Sequence, residues 1–180
     1  MFWENKKILK NQKKGFSLVE VLFYISIFII LISVVTLFAA TFIKSINKNH
    51  IKKEVAQGAY AVINSIIYEI ENADNVYLPT SIFGEHPGQL SLRTTQKLPG
   101  GEQITYIDFY LDNNNRLYIK REGEDARLLT SENLRVTNLE FQYLANSSES
   151  IRIILTVNYN ISDPEYQYSY SLISSGAIRK

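Results

Sequence analysis

One carboxylate, Glu20, lies inside a run of residues that otherwise carries no charge. From Phe16 to Ile43, 28 consecutive residues contain no other Asp, Glu, Lys, Arg or His. As a helix this run is about 42 Å long, whereas the hydrocarbon core of a bilayer is about 30 Å thick. A carboxylate in such a span loses hydration and persists mostly where a partner or water reaches it. Glu20 therefore predicts a specific partner, or a side chain that extends to the lipid headgroups.

Cleavage between Gly15 and Phe16 would create a partner for this carboxylate. The new α-amino group would lie four residues before Glu20, a spacing that permits a pair within one helix as well as a pair between neighbouring chains. In an ordinary secretory signal the cleavage site follows the apolar region, but here the glycine precedes it. Cleavage would therefore leave the apolar segment on the mature chain. An uncleaved signal anchor with a basic end is the alternative.

The stretch Lys13–Phe23, KKGFSLVEVLF, resembles the amino-terminal signal of type IV prepilins and type II secretion pseudopilins. This resemblance implies that residues 1–15 are a leader, that a prepilin peptidase cleaves after Gly15 and methylates the amino group of Phe16, and that Glu20 guides assembly. The implied partners are that peptidase, other pilins or pseudopilins and, before assembly, membrane lipid. The implied location is the bacterial inner membrane, with the leader cytoplasmic and the carboxy-terminal domain outside.

Other candidates for chemistry are weaker. His50 and His86 are far apart in sequence, and a zinc site would need more ligands than they provide. The Asp112–Asn115 cluster could supply oxygen ligands to calcium, but Arg116 follows it and no glycine or distal glutamate completes such a loop. No serine lies in a GxSxG elbow. We therefore predict no enzyme activity, no cofactor and no metal site, with a hairpin turn at Asp112–Asn115.

Tyrosines are numerous in the second half of the chain and could suggest platforms on which nucleic-acid bases or glycans stack. Their spacing is that of strands, with few lysines between them, which favours sheet packing. They are Tyr106, Tyr110, Tyr118, Tyr143, Tyr159, Tyr166, Tyr168 and Tyr170.

Charge and length set further limits. The 180 residues allow one globular domain besides the membrane segment, and the absence of cysteine excludes disulfides and thiolate metal sites. Without residues 1–15 the chain has 14 basic and 17 acidic residues, a net charge of −3. Such a chain is not expected to bind nucleic acid through charge alone.

The elements that must position these residues begin with one long helix. No proline occurs before Pro79, so a helix can run from near Phe16 to about Asp74, as a membrane and assembly segment over 16–43 and an amphipathic segment over 44–74. Apolar residues of the second segment share one helical face, which is predicted to pack on the chain's own domain. They are Ile51, Val55, Ala59, Val62, Ile63, Ile66, Ile67 and Ile70.

Residues 75–180 are predicted to form an antiparallel β domain, which makes the fold class α+β and pilin-like. A short strand LSLRT lies among loops over 79–101, and strands follow over 103–111, 116–121, 136–144, 151–161 and 166–173, with turns at 112–115, 146–150 and 162–164. The segments VTNLEFQYL and SIRIILTV, followed by a last strand, resemble a J-type minor pseudopilin or a related minor pilin. The predicted function is a structural minor pseudopilin or minor pilin. The alternatives are an adhesin or DNA-uptake module at a filament tip and a membrane-anchored hydrolase.

Overall fold

The computed structural model describes residues 15–145 and 149–179. The predicted leader up to residue 14 and the first three residues of the predicted turn at 146–150 lie outside these described residues. The chain divides into two compact units, Met1–Ile46 and Asn47–Lys180.

Helix α1 runs without interruption over Leu18–Glu71. Seven of the eight residues in the predicted apolar face are buried, and Ile67 is partly buried against the same core, so the predicted packing face is confirmed. The helix ends three residues before the predicted limit. There the side-chain amide of Asn72 donates to the carbonyl oxygen of Tyr68 at 2.7 Å and closes the last turn, and a strand begins at Asn75.

The first sheet has five antiparallel strands in the order of the chain: β1 (Asn75–Val76), β2 (Leu90–Thr94), β3 (Thr105–Leu111), β4 (Leu117–Arg121) and β5 (Arg127–Leu128). The predictions for β2, β3 and β4 are confirmed. The two-residue strands β1 and β5 were not predicted, because two residues carry no recognisable alternation and each forms only by pairing with a neighbour.

The second sheet has three antiparallel strands, β6 (Leu134–Ala145), β7 (Glu149–Tyr159) and β8 (Ser169–Ala177). Strand β8 begins three residues later than predicted. The reason is a 3-10 turn over Pro164–Tyr166, in which the side chain of Asp163 accepts a hydrogen bond from the backbone N–H of Glu165 at 2.9 Å. The α+β class and the antiparallel pairing are confirmed.

The apolar face of α1 shares one core with both sheets. Phe109 and Leu117 contribute to this core from the first sheet, and Phe141 and Ile153 from the second. Gly58 lies in the second half of α1 against the side chain of Leu134, so closely that an added β-carbon would overlap it. The lack of a side chain at Gly58 therefore lets β6 approach the helix.

The Asp112–Asn115 cluster forms the predicted hairpin turn between β3 and β4. Asp112 accepts hydrogen bonds from the backbone N–H groups of Arg116 at 2.8 Å and Asn114 at 2.9 Å, and from Nε of Arg116 at 2.8 Å. Burial acts to raise the pKa of Asp112, but these hydrogen bonds to the carboxylate outweigh it and hold the pKa below its usual value. The carboxylate of Asp112 thus stabilises its own turn by accepting these hydrogen bonds.

This turn should make stability depend on pH. Because the folded pKa of Asp112 is lowered, its stabilisation is fully present above the unfolded value of about 3.9 and is lost as the pH falls through the folded pKa. We expect Asp112→Asn to lower the thermal unfolding midpoint at neutral pH, and the difference from the unsubstituted chain to shrink below about pH 4. Asp125→Asn, at an exposed aspartate after β4, is the control. A pH-independent loss for Asp112→Asn would contradict this account.

Candidate functional site

The Gly15–Phe16 bond lies directly before α1, in a segment without regular structure. Helix geometry begins at the carbonyl of Ser17, which accepts hydrogen bonds from the backbone N–H groups of Glu20 at 3.0 Å and Val21 at 3.2 Å. Gly15 and Phe16 are exposed, and a β-carbon added at Gly15 would meet no atom of the described residues within 4 Å. The part of the fold described here therefore leaves the bond accessible and does not require glycine at position 15.

Glu20 lies in the first turn of α1 and is exposed. Within the described part of the chain its hydrogen-bond partner is the hydroxyl of Tyr24, which donates to Oε1 over 3.4 Å. This distance is long for a hydroxyl donor, so the contact satisfies the carboxylate poorly. The ring of Tyr24 also meets the ring of Phe16 edge to face, with centroids 6.4 Å apart and an interplanar angle of 77°. Tyr24 thus contacts both Phe16 and Glu20, and the sequence analysis did not single it out.

Unlike Glu20, the hydroxyl groups deeper in the apolar run have hydrogen-bond partners within the helix backbone. Ser26 donates to the carbonyl oxygen of Phe23, and the other hydroxyls donate to carbonyls of the preceding turn at 2.8 Å; these are Ser33 to Ile29, Thr36 to Ile32 and Thr41 to Phe38. These bonds are internal to the helix and cost nothing in lipid. Glu20 is therefore the side chain in this run that most needs a partner from outside.

The amino-terminal half of α1 is apolar and exposed around its whole circumference. Every residue from Leu18 to Ile46 is exposed. Among the described residues, α1 is the one helix whose length and hydropathy suffice to cross a membrane, and its most apolar window has no buried residue. A helix that is apolar on all sides needs lipid or other helices around it.

Residues 10–36 match the family model for the prokaryotic N-terminal methylation motif. This amino-terminal segment of the chain is prepilin-like. The motif supports the type IV pilin and pseudopilin family, which is a class of structural proteins rather than of enzymes, and it implies processing by prepilin peptidase and assembly with other pilins. Together with the apolar helix it is consistent with anchoring in the inner membrane. No curated protein and no solved structure matches the chain.

The remaining sequence candidates have local structural roles. Nδ1 of His86 accepts a hydrogen bond from the backbone N–H of Leu139 at 3.0 Å, and Nδ1 of His50 lies 3.9 Å from a carboxylate oxygen of Glu54. Within residues 15–145 and 149–179, no three His, Cys, Asp or Glu side chains are grouped as metal ligands.

The tyrosines take part in ring pairs and in the core. Tyr110 stacks on Tyr118 with ring centroids 6.0 Å apart, and the hydroxyls of Tyr60 and Tyr170 lie 3.0 Å apart. That hydrogen bond raises the pKa of Tyr170. The remaining partly buried tyrosines that pack on the core are Tyr143, Tyr159, Tyr166 and Tyr168. The sheet-packing interpretation is confirmed for the tyrosines that lie on strands, whereas Tyr166 and Tyr168 pack on the core from the segment before β8.

The structure also shows a buried ion pair that was not predicted. Glu69 is 8% exposed on the apolar face of α1, and a carboxylate oxygen accepts a hydrogen bond from Nη2 of Arg121, the last residue of β4. The sequence contains a signal for it, because Glu69 lies between Ile66 and Ile70 at helical spacing. Its partner is 52 residues away and carries no comparable signal.

Proposed function

We propose that this chain is a structural minor pseudopilin or minor pilin that is cleaved between Gly15 and Phe16, methylated at the amino group of Phe16 and assembled into a filament through α1. The observation that carries this proposal is the methylation-motif match over residues 10–36, and it is supported by an exposed apolar helix with one poorly satisfied carboxylate after the proposed cleavage bond. The leader is cytoplasmic and the domain after the span lies outside the inner membrane.

In this proposal assembly rests on charge pairing in apolar surroundings. Glu20 of one subunit pairs with the α-ammonium group of Phe16 on a neighbouring subunit. Any other axial position of the two helices leaves both charges without partners in a medium of low dielectric constant. A buried pair of this kind contributes less to net stability than to the choice of one register. The proposed function of the chain is thus assembly and not catalysis.

The β domain supports the J-type minor pseudopilin or a related minor pilin within this family. The segments on which that resemblance rests fall on β6 and β7, and β8 follows them as the last strand. The tip adhesin and the DNA-uptake module remain alternatives. Each would need an aromatic or basic surface free for a ligand, whereas the tyrosines noted above pack on the core or on one another.

The cleavage step is tested by co-expression with a prepilin peptidase and mass measurement of the product. We expect loss of residues 1–15 and addition of one methyl group. Gly15→Ala should slow cleavage roughly tenfold or more, because a peptidase pocket shaped for glycine must accept an extra methyl group. The described residues leave room for that methyl group.

Two comparisons complete the test. A catalytically inactive peptidase should leave the chain intact. Ser17→Ala, a small change on the other side of the bond, should be cleaved as well as the unsubstituted chain. An intact amino terminus beside a control prepilin that is fully processed would contradict the proposed function.

A further inference from the structure

We propose that Tyr24 is a positioning residue that holds the newly formed amino terminus of Phe16 beside Glu20 of the same chain until a neighbouring subunit replaces it. The inference rests on the proposed processing at Phe16. It assigns to Tyr24 a role that neither the motif nor the resemblance gives it.

The first observation is that α1 itself does not fix Phe16. The helix begins at Leu18, so Phe16 lies two residues outside it and lacks the geometry that would place residues i and i+4 together. Among the described residues, the ring contact that locates Phe16 is its edge-to-face packing on Tyr24, with centroids 6.4 Å apart. This packing spans eight residues, which is feasible because helical side chains point back toward the amino terminus of the helix.

The second observation is that the same side chain contacts Glu20. The hydroxyl of Tyr24 donates to Oε1 over 3.4 Å, while its ring packs on Phe16. Tyr24 therefore links the side chain of Phe16 to the carboxylate of Glu20. After cleavage the backbone of Phe16 ends in an ammonium group, and an aromatic ring face attracts a cation.

The contact has a use before assembly. A processed subunit in the membrane carries a carboxylate and an ammonium group at the edge of the hydrocarbon region, and each is costly if it is unpaired. The contact of Tyr24 with Phe16 and Glu20 lets the two charges of one chain pair with each other. This contact is weak, since the hydrogen bond from the hydroxyl is long and both rings are more than half exposed. A neighbouring subunit can therefore displace it.

The test is nuclear magnetic resonance of the full processed chain in detergent micelles. The peptidase is supplied with a methyl donor carrying carbon-13, so that the amino group of Phe16 bears one labelled methyl group. We expect cross-relaxation from this methyl group to the ring protons of Tyr24 and to the side-chain protons of Glu20.

Substitutions at Tyr24 separate the contribution of its ring from that of its hydroxyl and from that of apolar side chains in general. Tyr24→Phe keeps the ring and should retain most of the methyl-to-Glu20 signal. Tyr24→Leu should lose most of it, and Phe28→Leu, the same kind of change one turn further along, should leave it unchanged. A methyl-to-Glu20 signal that is equal in Tyr24→Leu and the unsubstituted chain would overturn the inference, as would the absence of any signal to Tyr24. Failure of the proposed function is distinguishable, because it leaves no labelled methyl group on Phe16.

Discussion

Glu20→Ala should be cleaved and methylated normally but should enter filaments about 100-fold less well than the unsubstituted chain. Removing the carboxylate leaves the ammonium group of the neighbouring Phe16 buried without a partner, and breaking a buried ion pair in this way costs about 3–5 kcal/mol. Each 1.4 kcal/mol corresponds to about a tenfold change in an equilibrium constant, so even the lower value gives a large loss of assembly. The measurement is the fraction of processed chain found in sheared or purified filaments together with its partner subunits.

A second substitution on the same helical turn separates the effect of the charge from the effect of side-chain size. Val21→Ala removes apolar atoms beside Glu20 without changing charge, and it should assemble nearly normally. Glu20→Asp keeps the charge on a shorter side chain and should give an intermediate result. If Glu20→Ala co-assembles as well as Val21→Ala, the carboxylate does not set the register and the assembly mechanism proposed here is wrong.

Arg121→Ala should lower the free energy of unfolding of the β domain by about 3–5 kcal/mol. Glu69 would then be left as a charge that is only 8% exposed and lacks the guanidinium group with which it pairs. The pair joins α1 to the end of β4, so its loss should also loosen the first sheet from the helix. Thermal unfolding of the full chain in detergent, followed by the near-ultraviolet circular dichroism of the tyrosines, measures the effect.

The chain supplies a matched control on the same helix. Glu71 pairs with Arg179 at 3.0 Å, but the Arg179 side chain is 74% exposed, and Glu71→Ala should cost no more than about 1 kcal/mol. The double substitution Glu69→Leu with Arg121→Met removes both charges and should recover most of the loss, since apolar replacements of a buried pair are often neutral. Equal effects of Arg121→Ala and Glu71→Ala would show that burial does not strengthen the Glu69 pair.

Much of the fold could be predicted because its signals are local. The apolar face from Ile51 to Ile70 repeats at helical spacing, and each member packs where the spacing places it. The turn at Asp112–Asn115 is encoded by side chains that hydrogen-bond their own backbone. Strand ends were less accurate. The start of β8 depended on a 3-10 turn at Pro164 whose capping bond by Asp163 competes with extended structure.

The sequence by itself determined the amino-terminal methylation motif and the apolar helix that follows it, because a glycine before an apolar run and a lone Glu20 are properties of consecutive residues. The tertiary structure alone decided the division of the strands into two sheets, the short strands β1 and β5, the Glu69–Arg121 pair and the contact of Tyr24 with Phe16. Strand partners and ion-pair partners are chosen by which residues folding brings together, and that choice leaves no periodic trace in the sequence. The Tyr24 contact depends on how the chain turns before Leu18, where helical spacing no longer applies.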